Sequence, residues 1–194
     1  MTKHQLVQIA LEQGLTFEAF LHRAEQRMHA QGPDDQFASG RHLNWSRMAR
    51  HQKTYEPSEE MRIAMNSVAG QAWVVITEDW CGDSAQILPV ISAIASLSET
   101  VRLRILDRDS YPKAMDLYLT NGTRSVPIVI AFNADTNELW HWGPRPEAAK
   151  TLVDEWKTRF ENKSDMYPLL HAWYAEHGHS EIERDIVQLL HTKG

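Results

Sequence analysis

Between residues 71 and 160 the chain switches repeatedly between a strand-like and a helix-like apolar pattern, and no other feature restricts its fold as much. Residues 72–77 are an almost unbroken apolar run, as in a strand covered on both faces. Residues 83–97 place Ile87, Val90, Ile91 and Ile94 on one side of a helix. Val101, Leu103 and Ile105 then alternate with Arg102 and Arg104, a half-covered strand. A short helix over 111–119 ends at Asn121-Gly122, and residues 126–132 form a strand that starts at Val126-Pro127. The turn 134–137 leads into a hairpin partner over 138–142, and Ala149, Leu152, Val153, Trp156 and Phe160 mark a last helix. A helical crossover makes the first two strands parallel and right-handed, while the hairpin adds an antiparallel strand. The expected fold class is therefore α/β: a four-stranded mixed sheet flanked by helices.

Helical patterns occupy both ends, so three parts are expected: an N-terminal helical extension over 1–70 packed on the core, the core over 71–160, and a C-terminal helical extension over 161–194. Leu6, Ile9 and Ala10 keep helical spacing up to Gly14. Thr16 caps a helix with Phe17, Phe20, Leu21, Ala24 and Met28 on its apolar side, and Gly32-Pro33-Asp34-Asp35 breaks it. Ser58 caps a further helix through Met61, Ala64, Met65 and Val68, closed by Gly70. The tail reads as two helices, the second opened by a capping-box pattern of Ser180 and Glu183. The net charge of −6 without a basic run argues against nucleic acid or an anionic membrane as partner. The first residues lack the apolar core of a signal peptide, and no stretch reaches the roughly 20 apolar residues of a membrane span. A cytoplasmic protein is expected. Its one cysteine excludes an internal disulfide framework.

That cysteine lies in Trp80-Cys81-Gly82-Asp83-Ser84, between the first strand and the first core helix. Pro89 follows Cys81 by eight residues, Val126-Pro127 precedes a β-branched strand, and Gly143 follows the hairpin strand. In this order the segment from 72 to about 160 resembles the thioredoxin family, and the whole chain resembles a bacterial branch of it with helical extensions. The resemblance implies a thioredoxin-like fold with a cis peptide at Val126-Pro127 facing the thiol. It also implies a substrate-binding surface of Trp80, Gly82, Asp83, Val126, Pro127 and Gly143, with Trp80 exposed beside the sulfur. Cys81 and Ser84 take the catalytic positions.

A helix N-terminus favours a thiolate, the form that attacks disulfides, so Cys81 is expected to be more acidic than a free cysteine. Ser84 stands where the family motif has its second thiol, and a serine cannot resolve a mixed disulfide; an outside thiol must. Val75, six residues before Cys81, replaces the buried aspartate of dithiol members, a coherent loss since no second cysteine needs its proton transferred. Glu78, Asp79 and Asp83 oppose thiolate formation. Arg124, three residues before Pro127, is a candidate thiolate modulator, against the plainer reading of a solvated loop cation. His177 and His179 read as solvated histidines near a helix end, not metal ligands. Trp140 and Trp142 share a packing face with His141 opposite, and Asp107 and Asp109 read as loop and capping residues.

Two functions fit these residues. One is a monothiol thiol–disulfide redox protein that forms mixed disulfides with a protein or a low-molecular-weight thiol or disulfide. The other is a redox-inactive thioredoxin-fold module that binds a peptide or protein. Iron–sulfur binding of the single-thiol glutaredoxin type is disfavoured, because Asp83 adds negative charge where those proteins have an aromatic. No cofactor or metal is expected; a homodimer is open.

Overall fold

The computed structural model describes residues 1–30, 32 and 35–193. Four helices come first: α1 (Lys3–Gln13), α2 (Phe17–His29), α3 (Ala38–Thr54) and α4 (Glu59–Asn66). They are followed by β1 (Gln71–Thr77), α5 (Gly82–Ala95), β2 (Val101–Asp107), α6 (Pro112–Met115), β3 (Ile128–Phe132), β4 (Glu138–Trp142), α7 (Glu147–Lys157) and α8 (Lys163–Lys193). The sheet order is β2-β1-β3-β4, with β1 parallel to β2 and antiparallel to β3, and β3 antiparallel to β4. This is the expected mixed four-stranded sheet with helices on both faces.

Alternation along the strands divides the core in two. Trp73, Val75, Val129, Ala131, Trp140 and Trp142 face α5 and the helices packed with it, whereas Val74, Ile76, Ile128, Ile130 and Phe132 join α1 and α6 on the other side. Every residue of β1 is buried, as its place between β2 and β3 requires. Leu15, between α1 and α2, exchanges both backbone hydrogen bonds with Ile105 at 2.9 Å and so covers part of the outer edge of β2.

Local signals account for several helix starts. The Thr2 hydroxyl and the Gln5 side chain form a capping box on α1. Thr16 accepts from the Ala19 N–H, and Ser58 from the Met61 N–H. The break expected at residues 32–35 involves Pro33 and Asp34, which lie outside the described residues. α4 stops at Asn66, short of Gly70, and α6 spans one turn rather than 111–119.

The tail departs further from expectation, since α8 is one helix of 31 residues. Ser180 does not cap; its hydroxyl donates back to the His177 carbonyl within the helix. Glu183 instead accepts from the Tyr55 hydroxyl at 2.5 Å and from the Ser58 N–H at 3.0 Å, tying α8 to the start of α4. α8 runs through Gly178, where a side chain would meet the Tyr174 ring. Leu170, Tyr174, Ile182, Ile186 and Leu190 form a buried face along the helix, and this burial outweighs the local breaking tendency.

Candidate functional site

Cys81 caps the N-terminus of α5, where the chain leaves the buried strand β1 and turns back over the sheet. Its residue keeps part of its surface open, and its Sγ–H donates to the Val126 carbonyl at 3.3 Å. The Val126-Pro127 peptide is cis, as the motif comparison implied, and it brings that carbonyl to the thiol. A groove of about 480 Å³ opens beside the sulfur, lined by Trp80, Cys81, Asp83, Arg108, Val126 and Arg145 among others. Of the sequence-predicted residues, Trp80, Cys81, Asp83, Arg124 and Val126 line this groove, and several of the predicted residues are used differently from expectation.

Trp80 is the first. Its ring stacks on Phe37 at 4.9 Å, while the Arg108 guanidinium lies over it at 4.7 Å. The turn leading into α3 thus covers a face expected to be open. Gly143 is the second: it has φ of +121°, and a Cβ there would collide with the Pro127 carbonyl. The space left by its missing side chain is filled by the cis-proline loop of the same chain. Gly143-Pro144 is also cis and was not anticipated.

Ser84 lies fully inside, accepting a 2.6 Å hydrogen bond from the Thr77 hydroxyl. The expected acidic thiol is not what this setting produces. Burial pushes the Cys81 thiol up, and the Asp83 charge pushes in the same direction. Hydrogen bonds from Ser84 and from the Asp83 and Ser84 backbone N–H groups oppose this shift without reversing it. Arg124 does not attend the sulfur; it makes a two-pronged ion pair with Asp116 at 2.8 and 3.0 Å.

The cation paired with the acid next to Cys81 is Arg145. Its Nε lies 3.0 Å from both Asp83 carboxylate oxygens, and its Nη2 donates to Oδ2 at 2.7 Å. The Tyr174 hydroxyl of α8 donates to Asp83 Oδ1 at 2.9 Å. Arg145 lies three residues beyond the end of β4, directly after Pro144. That placement depends on backbone geometry, and the sequence signal for it is only the crowded Gly143-Pro144-Arg145-Pro146 stretch.

Behind the first turn of α5 runs a line of side chains that sequence reasoning also missed. His179 Nε2 meets His51 Nδ1 at 2.8 Å, and His51 Nε2 meets Gln86 Oε1 at 2.6 Å. The Gln86 amide reaches His171 Nδ1 at 3.2 Å, and the His171 ring occupies the space beside Gly82. Burial holds the His51 and His171 pKa values down, each to about 4. His179 belongs to this line and is not merely solvated. No group of three or more His, Cys, Asp or Glu suited to a metal occurs among the described residues.

The acidic residues before Cys81 are also built in. Asp79 accepts from Arg27 at 3.0 Å and from Arg41 Nε at 2.9 Å, which fastens α2 and α3 to the end of β1. Asp107 accepts from Arg23 at 2.5 Å, an anchor for α2 rather than a loop cap. Glu78 accepts from the Asp109 N–H at 2.8 Å, and burial raises its pKa to about 7. No described helix is long and apolar enough to cross a membrane.

Against known proteins, the model of a family described as Thioredoxin matches residues 30–157. A protein of unknown function from Pseudomonas aeruginosa has a solved structure similar over the full length of both chains, at 14% identity and a TM-score of 0.64. An HIV epitope-scaffold is similar over the same extent at 15% identity and a TM-score of 0.65. No curated protein matches the chain.

Proposed function

The chain belongs to the thioredoxin family, and on that premise we propose that it is a monothiol thiol–disulfide exchange protein acting through Cys81. The Cys81 thiolate attacks one sulfur of a partner disulfide. A new S–S bond forms to Cys81, the old one breaks, the partner's other half leaves as a thiolate, and the Cys81 proton passes to water. A second, outside thiol then attacks the mixed disulfide and returns Cys81 to the thiol. A reducing compartment such as the cytoplasm supplies that thiol, and the partner is a low-molecular-weight or protein disulfide.

The observation that carries this reading is the Cys81 sulfur at the cap of α5, beside the groove and against the Val126 carbonyl. The raised thiol pKa sets the tempo. Little thiolate is present at neutral pH, so adducts form slowly; a basic thiol is also a poor leaving group, so they are released slowly. Incubation with oxidised glutathione followed by intact-mass measurement tests the proposal. One glutathione per chain, absent from Cys81→Ala and removed by excess thiol, is expected. A folded chain that stays unmodified would reject it.

The same raised pKa favours a second reading, a redox-silent module that holds a peptide in the groove. Binding that is identical in wild type and Cys81→Ser, with no covalent adduct under oxidising conditions, would select it.

A further inference from the structure

Asp83 is the nearest obstacle to thiolate chemistry at Cys81. It sits two residues on, in the first turn of α5, and its charge raises the thiol's pKa. Yet its carboxylate does not face the sulfur unpaired. Arg145 closes on both its oxygens at 2.7–3.0 Å, and Tyr174 adds a hydrogen bond at 2.9 Å. Asp83 and Tyr174 are buried and Arg145 is largely covered, so water screens this cluster weakly.

The other charged groups around the thiol are engaged elsewhere. Asp79 is held by Arg27 and Arg41, and Glu78 by the Asp109 N–H. Arg108 pairs with Asp109, and Arg124 with Asp116. His171, on α8 beside Gly82, is bonded to Gln86, and Arg47, on α3 near Gly82, donates to Asn44 Oδ1 at 3.0 Å. Arg145 is thus the cation whose pairing bears directly on the charge next to the sulfur.

From this we propose that Arg145 and Tyr174 are positioning residues for Cys81, holding Asp83 in a closed pair so that its charge weighs less on the thiol. The proposal rests on the exchange reading for its purpose, though not for its measurement. It makes α8 part of the reactive site, since Tyr174 comes from that helix. It also explains how an aspartate is tolerated inside the Cys81 motif.

The test is the pH profile of Cys81 alkylation by iodoacetamide, unambiguous because the chain has one cysteine. In Arg145→Gln the midpoint should move up and the rate at about pH 7.5 should fall roughly 3- to 10-fold. Arg145→Lys should recover part of the loss, and Tyr174→Phe should shift the midpoint the same way by less. Asp83→Asn should move the midpoint down, and in that background Arg145→Gln should cost less than in wild type. A change in accessibility alone would scale the rate at every pH and leave the midpoint in place. An unmoved midpoint in Arg145→Gln, or an equal cost with and without Asp83, would overturn the proposal. Should Arg145→Gln fail to fold, Arg145→Lys and Tyr174→Phe decide it: both should move the midpoint up from wild type, and two unmoved midpoints would overturn the proposal. If wild type forms no glutathione adduct while these midpoints move as stated, the exchange reading falls and the positioning role stands. If the adduct forms and the midpoints stay fixed, only the positioning role falls.

Discussion

Acid should loosen this protein through the histidine line behind α5, and substitution of His51 isolates the effect. Burial is the main reason that His51 and His171 ionise near 4 in the folded chain, and for His51 the neighbouring His179, Arg50 and Arg47 add to it. An exposed histidine in the unfolded chain ionises near 6.5, so below that value the unfolded state binds more protons and stability falls as pH falls. Between about pH 7 and about pH 5, a histidine whose folded pKa is about 4 withdraws about 2 kcal/mol. The two together withdraw about 4 kcal/mol where they titrate independently. His51→Gln removes one of these contributions. It also removes hydrogen bonds to His179 and Gln86, so the variant should be less stable than wild type at neutral pH. Urea unfolding of both proteins at several pH values is the assay. The stability gap between them should narrow by about 2 kcal/mol on acidification over this range. A gap that does not change with pH would refute the reasoning, because it would mean that His51 titrates alike in the folded and unfolded chains.

Glu78 should act in the opposite sense. Its folded pKa of about 7 lies above the ordinary carboxyl value, so the stability it contributes is complete in acid and is lost as pH rises through about 7. Glu78→Gln, which keeps an acceptor for the Asp109 N–H, should therefore gain about 2–3 kcal/mol on wild type between about pH 5 and about pH 8 in unfolding experiments. Gly143→Ala should destabilise by about 2–4 kcal/mol in thermal or urea unfolding, since it must adopt positive φ against the Pro127 carbonyl.

The middle of the fold was readable because burial and periodicity agree there. Residues 72–77 are apolar throughout, and β1 is the strand buried between two others. Trp140 and Trp142 alternate with His141, and the two tryptophans are buried while the histidine is exposed. α3 was not legible as an element, because its inward residues include Asn44 and His51 beside Met48; a helix that buries polar groups carries no apolar stripe. The split expected in the tail failed for a related reason. Gly178 and Ser180 look like a break taken alone, but Tyr174 packs over the glycine and Glu183 is drawn to Tyr55. At the site, the motif implied the cis Val126-Pro127 peptide facing the thiol, and Cys81 does donate to the Val126 carbonyl there. What it could not supply was the charge balance. Arg145 and Tyr174 reach Asp83 from 62 and 91 residues away, and such pairings leave no local pattern. The thiol's acidity went wrong for the same reason: the helix N-terminus is visible in sequence, whereas burial of the sulfur is a property of the packed chain.

The protonation state of Cys81 is the physical claim from which the rest follows. The ultraviolet absorbance of its thiolate, followed from neutral to alkaline pH with Cys81→Ala subtracted to remove the tyrosines, measures it directly. A midpoint above that of an ordinary cysteine thiol is predicted, with little thiolate at neutral pH. A midpoint below the ordinary value would contradict the account and restore a fast, acidic nucleophile.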